Sequence, residues 1–278
     1  MTILVRAASL QGYEALAREC GVDPIRAMQR VHLTPLHLAD VDSLIPFTAR
    51  IDLLEQTAAQ SGCMDFGLRL AKVQGVGMLG QLAMLLLNAA TLGEALQLAS
   101  RYIFVHSPAS RLEVVPVNSA PHLVDLTFAV DMPHRPQYAQ TVELSVGLMV
   151  NGLLAGSQGT VKPEQVRLPH AQLGPSSSYR ATMGCECVFH ADAAAVRIEA
   201  GALQLALPAN NPQMRQLAQD YLDQQFGDPA QHFADRIRSM VRRFLSSGMG
   251  NQAAIARALS INPRTLQRRL AAEGLYFE

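Results

Sequence analysis

Arg264, Gln267 and Arg268 stand three and four residues apart near the end of the 278-residue chain, which places them on one face of any helix that holds them. Leu266 and Leu270, four apart, occupy the opposite face. Arginine donates in bidentate fashion to guanine and glutamine pairs with adenine, so a helix carrying this trio can read base edges in a major groove. Thr265 and Arg269 flank the trio and suit phosphate contacts. A solvated surface helix would carry the same arginines, and what argues against it is the agreement of the surrounding elements.

Those elements form a supporting helix, a turn and a second helix. In Asn251 to Leu259 the residues Ala254, Ile255, Ala258 and Leu259 share one face, and the small Ala256 permits close approach of a neighbour. Ser260 and Ile261 make a short connection. Asn262 can cap the next helix with its side-chain oxygen, and Pro263 suits the first helical position, where a missing N–H costs nothing. From Arg236 to Glu278 there are eight arginines (Arg236, Arg238, Arg242, Arg243, Arg257, Arg264, Arg268 and Arg269) against Glu273 and Glu278, a net of +6. The whole chain sums to zero, so residues 1–235 carry −6, and the basic end is fitted to a polyanion.

The run from Ile255 to Leu270, followed by Ala272-Glu273-Gly274, resembles the first helix-turn-helix of AraC/XylS-type transcription regulators, and Arg264 to Leu270 is its specific part. Ser260 stands where that family usually has glycine and Asn262 where it usually has serine; Asn is also a good cap and tolerates unusual backbone angles. By this resemblance Arg264, Gln267 and Arg268 are the base-reading residues. Upstream, Phe66 to Leu70, Gly77 to Gly80, Thr91 to Leu96, Gly184 to Phe189 and Leu203 to Pro208 more loosely resemble the amino-terminal sensor domain of one branch of the family, named for arabinose binding. These are mostly apolar and glycine positions, which report fold and name no ligand. The resemblance implies a long connecting helix and a second helix-turn-helix beyond Glu278, so the sequence reads as truncated after the first. A single unit makes few contacts, and strong specific binding then needs a second unit or a homodimer.

Other chemistry has weaker support. Gly75 to Gly80 satisfies G-x-G-x-x-G, but a dinucleotide site needs a buried strand before it and an acidic residue about twenty positions on, where Ser100 and Arg101 stand. Cys185 and Cys187, with His170 and His190 nearby, are soft ligands without a C-x-x-C turn or a second cysteine pair, and buried or surface thiols are the plainer reading. Neither H-E-x-x-H, a nucleophile elbow nor a P-loop is present. No cofactor or metal is expected, and the chain is expected not to be an enzyme.

Composition is that of a soluble two-part protein, 49% hydrophobic and 17% charged. No apolar run is long enough for a membrane helix, the N-terminus lacks a signal-peptide layout, and the four cysteines form no disulfide framework; a cytoplasmic protein with reduced thiols follows. Periodicity predicts helices over Leu10 to Cys20, Pro24 to Val31 capped by Asp23, Pro46 to Ser61, Gln81 to Asn88, Leu92 to Tyr102 and Tyr138 to Ala155. It predicts a hairpin of Leu112 to Val117 with Leu123 to Val130, short strands at Gln165 to Leu168, Glu186 to His190 and Ala195 to Ile198, and a helical Gly201 to Leu207. Met214, Leu217, Ala218, Tyr221, Leu222 and Phe226 form the apolar face of a linker helix, and Phe233, Ile237, Val241 and Phe244 the inner stripe of the next.

The expected architecture is an α+β sensor domain over residues 1–210, a linker helix over 211–230, and an incomplete all-α helix-turn-helix module over 231–278. The expected function is a one-component regulator whose sensor takes a small-molecule effector and whose carboxy-terminal module binds double-stranded DNA. Arg50, His106, Arg135, Tyr138 and Glu143 are polar groups able to face a pocket or to make structural pairs, and nothing in the sequence separates the two. Two other classes stay open: a ligand-binding or dimerisation protein that does not bind DNA on its own, and an enzyme using the glycine loop. Retained dimerisation without DNA binding would mark the former, nucleotide binding abolished by Gly77→Val the latter.

Overall fold

The computed structural model describes residues 3–130, 138–226, 251–258, 263–272 and 274–277, together with Ile237 and Val241; of Arg257, Ala258, Arg269 and Ala272 it describes the backbone. A short strand β1 (Leu4–Arg6) opens the chain and pairs antiparallel with β2 (Leu44–Pro46). Between them lie α1 (Tyr13–Glu19), α2 (Pro24–Arg30) and α3 (Pro35–Ala39). Asp23 caps α2 as expected, accepting from the N–H groups of Ile25 and Arg26. The residues before α1, Ala7–Leu10, form a separate 3-10 turn, so the expected helix starts later, at Tyr13.

Helix α4 (Phe47–Ser61) leads to α5 (Phe66–Val73), α6 (Gln81–Leu87) and α7 (Leu92–Tyr102). The hairpin β3 (Ser110–Pro116) and β4 (Leu123–Val130) follows, then the long α8 (Ala139–Gly156). After β5 (Gln165–Arg167), α9 (Ser176–Met183), β6 (Glu186–Val188) and β7 (Ala194–Glu199) comes α10 (Pro212–Phe226). The second sheet has the order β3-β4-β7-β5-β6, antiparallel except for β5 with β6. Asp125 and Arg197 face each other across β4 and β7 and make two hydrogen bonds, of 2.7 and 2.8 Å. The segment expected as helical at Gly201 to Leu207 is a 3-10 turn over Ala200–Gln204, with Leu207 buried after it.

Helix α8 packs between the sheet and the helices, and its closest partner is α5. Gln140 is fully buried at its start: its side-chain oxygen accepts from the Gly67 N–H at 2.7 Å, and its side-chain nitrogen donates to the Met64 carbonyl at 2.8 Å. A Cβ on Gly67 would collide with the Gln140 carbonyl, and one on Gly147 would come within 2.7 Å of Ala71 Cβ. Small residues on both helices therefore set the crossing distance. Asn151 Nδ2 adds a bond to the Ala71 carbonyl at 2.7 Å.

The last two described helices, Gln252–Ala258 and Pro263–Ala272, pack against each other through Ile255, Ala256, Leu266 and Leu270, with Ile237 in the same cluster. Asn251 caps the first of them, accepting from the Ala254 N–H at 2.9 Å. The second closes with paired bonds, Leu275 N–H to the Leu270 carbonyl and Gly274 N–H to that of Ala271, while Leu275 packs on the cluster. The expected Asn262 cap, the Ser260-Ile261 connection, and Phe233 and Phe244 of the inner stripe lie outside the described residues; Val241 packs on the cluster with Ile237. Leu4 of β1 belongs to this cluster too, and Leu44 of β2 packs on it, so the N-terminal strand pair is continuous with the C-terminal helices.

Gly67→Ala is expected to lower the free energy of unfolding by about 1–3 kcal/mol, because the added methyl has backbone rather than a flexible side chain in its way. Urea denaturation measures it, and an unchanged midpoint would show that the crossing is not set by this contact.

Candidate functional site

Pro263–Ala272 buries Leu266 and Leu270 and leaves Arg264 and Arg268 exposed, with Thr265 and Gln267 half-buried. The helix thus divides as the leucine spacing predicts. Arg264, Thr265, Gln267 and Arg268 line one shallow concavity with Ala271 and Tyr276, the last 77% exposed. Gln267 Nε2 donates to the Phe277 carbonyl at 3.2 Å, a partner that a base edge would have to replace. The Arg269 side chain lies outside the described residues.

A second concavity lies inside the N-terminal part. It has a volume of about 160 Å³ and is walled by α7 (Leu92, Ala95, Leu96, Ala99), α8 (Leu148, Met149, Gly152, Leu153), the strands β3 and β4 (Leu112, Leu126, Phe128), and the turn Val76–Leu79. That turn is the glycine pattern of the sequence. It follows helix α5 rather than a buried strand, so the dinucleotide arrangement is not formed. Gly80 has φ +61, and the space where its Cβ would stand lies 3.0 Å from the Arg6 guanidinium. Arg6 donates to the Met78 carbonyl at 3.2 Å and is ion-paired with Asp42 at 2.5 Å. The loop is therefore a docking point for β1, and it supplies Val76, Met78 and Leu79 to the cavity.

Polar groups on the cavity wall are few: Arg50 from α4, His106, Ser107, Ser110 and Ser145. Arg50 is 3% exposed, with one hydrogen bond, to Thr141 Oγ1 at 3.3 Å, and the Phe47 ring 5.3 Å from its guanidinium carbon. Burial pulls its pKa down to about 10, still protonated near neutral pH. Of the other open candidates, His106 joins Arg50 on the cavity wall, Tyr138 packs partly buried between the two main clusters, and Arg135 lies outside the described residues.

Glu143 is fully buried away from the cavity wall, and its Oε1 accepts from the Tyr179 hydroxyl, which accepts in turn from the Leu173 N–H. Burial pushes its carboxyl up to about 8 and pulls the His170 ring, 3.9 Å away, down from its ordinary value. Both shifts favour neutral partners, so near neutral pH this is a contact between uncharged groups rather than an ion pair. Cys187, on the edge strand β6, and Cys185, just before it, are held up at about 12 and about 11 by burial, which keeps them as thiols. Among the described residues no cluster of three or more His, Cys, Asp or Glu side chains is arranged for a metal ion.

Residues 21–207 match the family model of the arabinose-binding domain of AraC transcription regulators, N-term. Over 274 residues the chain is 36% identical to the HTH-type transcriptional regulator VirS of Mycobacterium tuberculosis, in each of two strains, an alignment spanning 98% of this chain and 80% of that regulator. The chain belongs to the AraC-type transcription regulators. Its fold is similar to that of the transcriptional regulator CdpR from Pseudomonas aeruginosa, with a TM-score of 0.53 at 20% identity, covering 91% of this chain and 79% of that one. At that identity the likeness speaks to fold alone. As an AraC-type regulator the chain places its apolar cavity within the matched arabinose-binding domain, although Val5 of β1 also reaches it. No helix among the described residues is long and apolar enough to cross a membrane.

The cavity was not legible in the sequence because its apolar lining is indistinguishable from core. Of the five polar candidates, Arg50 and His106 line it, and nothing in the sequence set these two apart from Glu143, which is buried elsewhere.

The Glu143 shift fixes a sign for pH. Its carboxyl titrates near 4.5 in the unfolded chain and near 8 when folded, so the folded state keeps a proton that the unfolded state loses between these values. This group's contribution is fully present below about 4.5 and is lost as pH rises through about 8. Glu143→Gln, which keeps an oxygen for Tyr179, should gain thermal stability relative to the parent as pH is raised from about 5 to about 8. Parallel melting curves that keep a constant offset across that range would contradict the assignment.

Proposed function

We propose that this AraC-type protein is a one-component, ligand-responsive transcription regulator. Residues 1–210 act as sensor, 211–230 as linker, and 231–278 as the first helix-turn-helix of a DNA-binding domain. Arg264, Gln267 and Arg268 read bases, and Thr265 and Arg269 hold phosphates. The supporting observation is the single concavity formed by Arg264, Thr265, Gln267 and Arg268 on the face opposite the buried Leu266 and Leu270. It is a cationic, hydrogen-bonding surface on a helix, carried at the +6 end of a chain that is neutral as a whole. The setting is cytoplasmic, and the function is regulatory rather than enzymatic.

The effector site in this reading is the apolar cavity, and two elements join its wall to the rest of the chain. In β1, Val5 faces the cavity while its neighbour Leu4 packs in the core of the C-terminal helices, as the alternation of a strand requires. In the helical wall, Leu79, Leu86 and Ile103 line the cavity and also pack in the cluster that holds Ala218 and Leu222 of α10. Tyr102 donates to Asp223 at 2.7 Å, and Arg215 pairs with Glu94 at 3.2 Å, fixing α10 on that wall. A ligand that prefers one packing of these walls therefore biases the position of linker and recognition helix. On α10, Leu217 and Tyr221 are 64% and 46% exposed, and a second copy of the chain can use that face to double the DNA contacts.

One observation favours a second reading, in which the protein binds ligand and self-associates without binding DNA: the Gln267 amide is already engaged on Phe277. The two are separated by titrating duplexes from a selected random pool at several salt concentrations, following anisotropy. Regulation predicts selective binding that Gln267→Ala plus Arg268→Ala abolishes, each lost base contact weakening the preferred sequence by about 1–3 kcal/mol. Arg269→Ala should weaken all sequences alike and reduce the salt slope by about 1. Equal affinity for every duplex, unchanged by the double substitution, would reject the recognition-helix assignment.

A further inference from the structure

The cavity wall carries one charge, and no carboxylate among the described residues neutralises it. Other inward arginines are paired: Arg6 with Asp42, and Arg197 with Asp125. Arg50 has a hydroxyl and an aromatic face, and its Nε–H has no acceptor among the described residues. Ser107, also on the wall and 1% exposed, has an unpartnered hydroxyl. A buried guanidinium without an anion, and a buried hydroxyl without a partner, are both costly arrangements. Site chemistry is a common reason for such an arrangement to be kept. The remaining surface is aliphatic, sulfur-bearing or aromatic, contributed by residues such as Leu96, Met149 and Phe128.

We propose that this cavity binds a small amphipathic monocarboxylate, with Arg50 holding the carboxylate and the apolar walls holding its body. The proposal rests on the reading of this cavity as the effector site. A planar carboxylate matches the guanidinium fork and brings one negative charge to one positive charge. A dianionic phosphate ester would leave a surplus charge in an apolar enclosure. A pentose, the ligand for which the domain family is named, would set several hydroxyls against walls that offer few partners, at about 1–3 kcal/mol for each one left unsatisfied. The volume of about 160 Å³ is close to that of an engineered apolar cavity of about 150 Å³ that admits benzene, which points to a short acyl or monocyclic aromatic acid rather than a long-chain lipid.

The test is calorimetric titration of the whole chain with hexanoate, octanoate and phenylacetate, beside 1-hexanol, 1-octanol, 2-phenylethanol and L-arabinose. At least one acid is expected to bind about 10- to 100-fold more tightly than its alcohol, the range of a charged hydrogen bond. Arabinose should bind more weakly than that acid. Arg50→Met, close in length and uncharged, should remove the preference for acid and leave the alcohol's affinity unchanged. The unliganded variant should melt no lower than the parent, since it removes an unpaired buried charge. Acid and alcohol binding alike to the parent, no acid binding at all, or an acid preference surviving in Arg50→Met would each overturn the proposal; the parent comparison decides even if the variant does not fold. Anisotropy on the selected duplex separates the two readings. An acid that binds through Arg50 yet leaves DNA affinity unchanged supports the ligand class and removes the regulatory reading. Selective DNA binding with no response to any acid in calorimetry removes the ligand class and keeps the regulator.

Discussion

The close crossing of α5 on α8 fixes the geometry on which the interior depends. Gly67 lies against the Gln140 backbone and Ala71 against Gly147, so the two helices approach at the limit that small residues permit. Downstream of α5 the chain can then lay Val76 against Gly152 on α8, where a Cβ would stand 3.5 Å from the valine methyl. Beyond that point the elements part: α8 turns Leu148, Met149 and Leu153 toward the cavity, and the turn after α5 brings Val76, Met78 and Leu79 to another wall. Tight packing on one side of α8 thus sets the distance across the opening on the other. Residues that look interchangeable in composition differ in role, because those at the crossing cannot grow without moving backbone while those at the cavity can.

Several walls of the cavity are thin. Leu79, Leu86 and Ile103 contact the opening and also the α10 cluster, so at these points one side chain touches both. In β1 the thickness is that of one strand, with Val5 and Leu4 on its two faces. Its position is further tied to the turn after α7, where the Arg6 N–H meets the His106 carbonyl at 3.2 Å. Packed interiors transmit small shifts because side chains have few alternative arrangements at native density. A change in how the walls close must therefore be accommodated by α10 and β1, both of which connect to the C-terminal part of the chain.

Elements with strong local signals are legible in the sequence. The hairpin, the α8 segment and the Asp23 cap follow from alternation, periodicity and cap chemistry, and β7 differs from its expected span by one residue at each end. What escaped depends on partners distant in sequence. Strands β1 and β2 are three residues each and exist through each other, about forty residues apart, with no alternation long enough to detect. α9 has Ser176-Ser177-Ser178 in its first turn, residues that more often mark turns and caps than helix interiors. For the helix Pro263–Ala272, the leucine spacing foretold which side would be buried, and the exposed arginines followed by exclusion. The cavity left no such trace, since Leu96 and Met149 look the same in sequence whether they fill a core or line a hollow.

Charge follows two opposite rules in this chain, and the contrast bears on how a sensor of this kind can work. At the C-terminal end arginines are numerous and Arg264 and Arg268 are exposed, so their interactions are screened by salt and additive over many contacts. At the cavity one arginine is buried and weakly partnered, so its interaction with an anion is strengthened by the same low dielectric that penalises it alone. A monocarboxylate would meet Arg50 with large benefit only where the apolar walls exclude water from the pair. In an arrangement with the walls parted, guanidinium and carboxylate are each hydrated and their attraction is small. Such a ligand would then distinguish closed from open walls through its charge as well as through the apolar area it buries. On the proposed reading, that difference between states, rather than the strength of binding itself, is what would move α10 and β1.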